Sequence, residues 1–334
     1  MLTGEYAVLD GAPALMVAVD RRVVATRRTG PRGSSEFLLA LGAELARRYG
    51  ADHPATRALD EIVVNSSQFY DGTTKLGIGS SAAVTVAATA LALAAGHERV
   101  PVIDQAKVLE IASAAHAAAQ GPRGARGSGA DIAAAVHGGV IAFQRATPDR
   151  IAWPSDAAQE GKTIACATGT AERLAWPAGV AWIPFFTGAS ADTGSLVAAV
   201  NTAREQNRAA VEAALAAIDK ASRAACQACA MRAPEIASSA FVAALVLAGR
   251  ATDALAHATG LPLVPSCVTA ARAVLARFGG TAKTTGAGGG DIGIAVIPGT
   301  EHATEARRLL IEAGCQPLVI AVDQTGVDLQ PDAQ

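Results

Sequence analysis

Lys75-Leu-Gly-Ile-Gly-Ser-Ser-Ala-Ala83 is a glycine- and serine-rich loop that opens directly into an apolar helical run ending at Gly96. Glycines let backbone N–H groups approach a ligand closely. A helix N-terminus adds unpaired donors and the positive end of a dipole, so the segment suits a polyphosphate. The Ser80 and Ser81 hydroxyls are of the type that meets phosphate oxygens or Mg²⁺, and Lys75 supplies a point charge. The competing reading is structural: a serine capping a helix after a glycine turn.

Outward from this loop the pattern is mixed. Towards the N-terminus, Tyr6-Ala-Val-Leu9 and Ala14 to Val19 flank an Asp-Gly turn and read as antiparallel strands, with Arg21-Arg-Val-Val-Ala continuing the second. Phe37 to Tyr49 has helical spacing and closes on Gly50, and Ile62-Val-Val64 reads as a strand. Towards the C-terminus, a helix is expected from Ile103 to Gln120, then a polar glycine-rich loop, then a helix opening near Asp131. The polar stretch 149–163, with Pro154 and Gly161, predicts a boundary between a nucleotide-binding unit over 1–160 and a second unit over 161–334. Beyond it a strand is expected over Val180 to Phe186, then three alanine-rich helices and a strand over Ile292 to Ile297. Separate strands and helices, with no alternating βαβ repeat, predict an α+β fold.

Three further loops carry chemistry. Gly127-Ser-Gly-Ala-Asp131 puts a carboxylate at a helix start, where it either complements the helix dipole or orients and deprotonates an acceptor in phosphoryl transfer. Lys283-Thr-Thr-Gly-Ala-Gly-Gly-Gly-Asp291 carries four glycines in five residues, which is costly unless the backbone takes positive φ or touches a ligand or another backbone. Thr187-Gly-Ala-Ser-Ala-Asp-Thr193 either holds an acidic substrate or caps a helix from Asp192 or Thr193. Lys75, Arg123, Arg126 and Lys283 are candidate cations for transferred charge, each with a solvated-surface alternative. Two nucleotide motifs fail: Asp156 stands where a Walker loop ending in Gly161-Lys-Thr163 needs its first glycine, and no strand leads straight into the dinucleotide-like Gly77-x-Gly-x-x-Ala82.

The 334 residues are 51% apolar and 17% charged with a net charge of −2, enough for two cores and without the basic footprint of a nucleic-acid binder. Five cysteines without framework spacing point to a reducing compartment. The C-x-x-C at Cys226 and Cys229 lies in a helix-like run and reads as packing rather than as a metal or redox pair. The N-terminus lacks the basic region of a signal peptide, and the run Ala82 to Ala95 is shorter than the roughly 20 residues of a membrane span. A cytoplasmic protein acting on small molecules, without nucleic-acid or membrane partners, is expected.

Taken in order, Gly4-Glu-Tyr-Ala-Val-Leu9, Gly77 to Ala83 and Lys283 to Asp291 resemble the three motifs of the GHMP kinases across nearly the whole chain. Gly-Glu-Tyr at 4–6, Gln120-Gly121 ahead of Gly127 to Asp131, and the 187–193 loop are similar to the branch that phosphorylates phosphomevalonate. The resemblance implies an N-terminal domain like ribosomal protein S5 domain 2, a ferredoxin-like C-terminal domain, ATP and Mg²⁺, and formation of 5-diphosphomevalonate in the mevalonate route to isoprenoids. By it, Gly77, Ile78, Gly79, Ser80, Ser81 and Ala82 would hold ATP, with Ser80 on the metal, and Asp131, Lys75 and Ser81 would be catalytic. Ser66, Ser67, Ser128, Gly129, Thr187, Ser190, Thr193, Lys283, Gly286, Ala287 and Gly288 would line the acceptor side. A sibling kinase acting on mevalonate or another small alcohol, and a binding homologue that has lost catalysis, are the alternatives. The family's opening Pro-Gly-Lys would lie ahead of Gly4, where the sequence has only Met1-Leu-Thr. His116 stands near where mevalonate kinases carry a metal-binding Glu.

Overall fold

The computed structural model describes residues 1–28, 35–97, 101–121, 127–147, 163–166 and 169–330. The first half runs β1 (Pro13–Val17), β2 (Val24–Arg27), α1 (Glu36–Tyr49), α2 (Pro54–Ala58), β3 (Ile62–Asn65), β4 (Tyr70–Asp71), β5 (Thr74–Lys75), α3 (Ser80–Leu93), α4 (Gln105–Gln120), α5 (Ala130–His137), β6 (Val140–Arg145), β7 (Thr163–Cys166) and β8 (Gly169–Leu174). The second runs β9 (Val180–Phe186), α6 (Thr193–Gln206), α7 (Arg208–Ala230), α8 (Pro234–Thr259), α9 (Ser266–Leu275), β10 (Thr281–Thr284), β11 (Ile292–Pro298), α10 (Ala303–Glu312) and β12 (Gln316–Pro317).

Two four-stranded antiparallel sheets organise these elements, in the orders β1-β6-β8-β7 and β10-β11-β9-β12. In the second sheet the strands stand second, third, first, fourth in chain order, with helices in both crossovers, which is the ferredoxin-like arrangement.

Alternation along the strands gives each sheet two faces. On the first, Ala14, Met16, Ile141 and Phe143 meet α3, α4 and α5, while Leu15, Val140 and Ala142 point the other way. That opposite face shares one core with Ala225 and Cys226 of α7, Phe241 and Leu245 of α8, and Ile294 and Val296 of the second sheet. The reverse side of the second sheet, with Phe185, Ala295 and Ile297, packs on α9 and α10. Under the first half, α1 presents Leu38, Leu41 and Leu45 to α3 and α4, started by the Ser35 hydroxyl, which accepts from the Phe37 N–H.

Four expectations are corrected. Tyr6 to Leu9 is no strand: Gly4 and Tyr6 take φ of 94° and 58°, and Ala7–Asp10 forms a 3₁₀ turn. The expected boundary at 160/161 falls inside the first half, because β7 and β8 continue the first sheet along β6. Four helices rather than three separate β9 from β10, and the glycine-rich loop joins two strands in a hairpin, since Lys283 and Thr284 already pair with β11. The run at Ala82 falls short of a membrane span, as expected; among the described residues α8 is long and apolar enough to cross a membrane, and it packs against α7 and β10, burying Phe241 and Leu245.

Beyond β12 the chain returns to the first half. Val19 and Val322 form a bridge, Asp323 donates its N–H to Ala18 O, and Gly139 and Val327 donate to Asp323 O and Val136 O. Arg22 and Asp323 pair across this strap, and a Cβ on Gly326, whose φ is 70°, would lie 2.4 Å from Val136 O.

Candidate active site

A cleft of about 1060 Å³ opens between the two halves, lined by the phosphate-loop candidate, the start of α5, the 190–194 loop, the glycine-rich hairpin and the strap. Each wall follows from local sequence. Gly79 occupies the N-cap of α3 in the left-handed region, at φ 87°, and among the described residues no side chain caps that terminus. The serine-cap reading therefore fails, and the first N–H groups of α3 remain open towards the cleft. Alanine, valine and threonine along α3 bury the helix on nearly every side, which fixes this terminus in place.

Gly129 starts α5 in the same way, at φ 83°. Asp131 follows, its side chain 35% exposed to the cleft, with Oδ1 accepting from the Ile132 N–H at 3.0 Å. Between Asp131 and the phosphate loop stands His116 of α4, whose Nε2 is 3.2 Å from Ser81 Oγ and 4.0 Å from Asp131 Oδ2.

The opposite wall is built by loops docked on one another. Asp291, a non-glycine residue at φ 55°, accepts at its carbonyl from the Thr187 N–H and hydroxyl, donates its N–H to Ala189 O and receives the Ala191 N–H on Oδ1. Gly288 and Gly290 serve this docking: a Cβ at either would lie 2.5 Å from Leu263 O or 2.7 Å from Ala189 O. Burial pushes the Asp291 carboxyl above its ordinary range, against the Ala191 N–H and the charge of Lys75. Tyr6 donates its hydroxyl to Ala287 O at 2.6 Å, and burial, assisted by the Glu5 charge, pushes that phenol well up, so it stays a donor. Asp192 caps α6 through the Gly194 and Ser195 N–H groups.

Of the candidates, Gly77, Ile78, Gly79, Ser80, Ser81, Lys75, Ser128, Asp131, Ser190, Thr193, Gly286 and Ala287 all line the cleft. Others do not. Ala82 is buried in the core under α3. Ser66 and Ser67 lie before β4 outside the cleft lining, because the chain there turns outward and only Phe69 points in. Gly129 and Thr187 set the backbone behind the wall, and Gly288 is buried against Leu263.

Lys283 is fully buried. Its Nζ donates to Leu2 O at 2.7 Å and to Thr284 O, and pairs with Glu5 Oε1, while Glu5 Oε2 has no hydrogen-bond partner among the described residues. It is thus a structural cation beneath the site. Arg123 and Arg126 lie outside the described residues. Cys226 and Cys229 face the shared core, and burial pushes the Cys229 thiol up to about 12. Asp291 and Tyr6 were missed as site residues, although both lie inside motifs already singled out.

No protein-family model matches the chain. It is 27% identical over 374 aligned residues to phosphomevalonate kinase of Streptomyces sp. strain CL190, covering 98% of this chain and 96% of that one. Among solved structures it superposes on the Lin0012 protein of Listeria innocua with a TM-score of 0.73, at 22% identity over 96% of this chain and 94% of that one. It superposes on Streptococcus pneumoniae phosphomevalonate kinase, in complex with phosphomevalonate and AMPPNP, with a TM-score of 0.71, at 17% identity over 96% of each. On its motifs, its fold and its full-length relative, the chain is a phosphotransferase with the GHMP kinase fold, similar from end to end to phosphomevalonate kinase.

Proposed function

We propose that the chain transfers the γ-phosphoryl group of ATP to the phosphate of (R)-5-phosphomevalonate. The observation that carries this reading is the convergence of an uncapped α3 N-terminus and the Asp131 carboxylate on one wall of the cleft, in a chain similar over its length to a phosphomevalonate kinase. The open N–H groups of residues 79–81 would hold the ATP phosphates, and Lys75, exposed at the rim, would follow the moving charge. Asp131 would orient the acceptor phosphate oxygen and take up any proton it carries. The bond from Pγ to the bridging oxygen breaks as the new P–O bond forms, and ADP leaves with the electron pair.

Mg²⁺ fits this donor set. The ion asks for one or two protein oxygens beside phosphates and water, and the Ser80 and Ser81 hydroxyls and the Asp131 carboxylate line the same cleft. When bound it would neutralise charge on the β- and γ-phosphates. The acceptor would lie towards Ser128, Ser190, Thr193, Gly286 and Ala287, and the enzyme would act in the cytoplasm.

The test is ADP release with Mg-ATP and, in parallel, phosphomevalonate, mevalonate, homoserine or galactose. Turnover of phosphomevalonate alone is expected. Turnover of an unphosphorylated alcohol instead would reassign the substrate, and ATP binding without turnover of any acceptor would sink the catalytic reading.

A further inference from the structure

We propose that His116 is a positioning residue for phosphoryl transfer, holding the Ser81 hydroxyl at the α3 N-terminus in register with Asp131; this rests on the phosphotransferase reading above. His116 lies on the inward face of α4 among alanines, and its side chain is 3% exposed. A ring nitrogen that deep costs free energy unless it finds a partner. Nε2 finds Ser81 Oγ at 3.2 Å, with Asp131 Oδ2 a further neighbour at 4.0 Å. The ring plane is fixed independently by stacking on Phe37 of α1, at 5.1 Å between centroids and 21° between planes. Segments from α1, α3, α4 and α5 therefore converge on one imidazole, although the sequence separates Ser81, His116 and Asp131 widely.

The consequence is geometric. A hydroxyl carries one donor and two acceptor sites and rotates freely unless one is engaged. With Ser81 tied to Nε2, its remaining capacity is held towards the cleft that it lines, beside the open N–H groups of α3. Misplacing a positioning group by about 1 Å costs on the order of a hundredfold in rate. A merely structural histidine would use Ser81 as a partner of convenience and leave turnover indifferent to whether the side chain that replaces it can hydrogen-bond to Ser81.

Four full-length variants separate the two: His116→Leu, His116→Gln, Ser81→Ala and the His116→Leu/Ser81→Ala double. His116→Leu should lower kcat by about tenfold to a hundredfold, with the KM for ATP changed less than about threefold. His116→Gln, whose amide still reaches Ser81, should recover most of that loss. The double variant should be no slower than the slower single, because both remove one contact. In substrate-free protein, Ser81→Ala should shift the ¹⁵N resonance of His116 Nε2, a readout that needs neither turnover nor a folded His116 variant.

Equal losses in the Leu and Gln variants of an active enzyme, multiplicative losses in the double, or an unmoved resonance would each overturn the proposal. A wild type inert towards every acceptor, with the resonance shift intact, would instead remove the phosphotransferase reading, and the catalytic half of this inference with it.

Discussion

Gly77 is demanded by its neighbour across the cleft. Its φ is 68°, and a Cβ there would lie 2.2 Å from Cγ of Asp291, so the phosphate loop and the glycine-rich hairpin touch at this point. Gly77→Ala should cost about 1–3 kcal/mol through strain and displacement. It should also weaken ATP binding, because the loop shifts with it; a melt and an ATP titration both unchanged would contradict this contact. Asp131→Ala should lower kcat by about 10²–10⁴-fold while ATP affinity stays nearly constant, since the nucleotide donors sit on α3. Normal turnover would remove Asp131 from the mechanism. Both residues were legible in the sequence because a glycine-rich turn entering an apolar helix is a local signature. Lys283 was not: a lysine beside a glycine motif reads alike whether it reaches a phosphate or turns back beneath the sheet. What decides is that all four residues of β10 are buried, and strand burial is a tertiary property.

At the scale of elements, the Lys283–Glu5 pair ties the N-terminal segment to β10, with Tyr6 and Ala287 pinning the same two pieces. Removing one partner of a buried pair strands the other's charge. Lys283→Met should therefore destabilise the protein by about 3–5 kcal/mol, read by denaturant unfolding, and adding Glu5→Gln should return much of the loss. A neutral single variant would mean that the pair is dispensable. This knot also explains which elements were foreseeable. α1, α3, α4 and β9 followed from periodicity and caps inside their own segments. The opening turn did not, because Tyr6 is held at positive φ by contacts reaching to residue 287, which no window of neighbouring residues contains.

At the scale of the whole molecule, the two sheets share one core through α7 and α8, with Leu15, Phe241 and Val296 in the same cluster. The two halves should therefore melt in a single calorimetric transition with matching van't Hoff and calorimetric enthalpies, and two resolved transitions would show that the shared core does not couple them. The strap extends this interdependence to the cleft, since Ile320, Asp323, Gly326 and Val327 form part of its wall. A wall contributed so late in the chain sets the order of events during synthesis. Segments fold as they leave the ribosome, N-terminal first, so the phosphate loop and Asp131 emerge long before residues 320–327 can close over them. The nascent polypeptide thus lacks one wall of its cleft until residues 320–327 are made, and a ribosome stalled upstream of residue 320 would display an incomplete pocket however well its first half had folded.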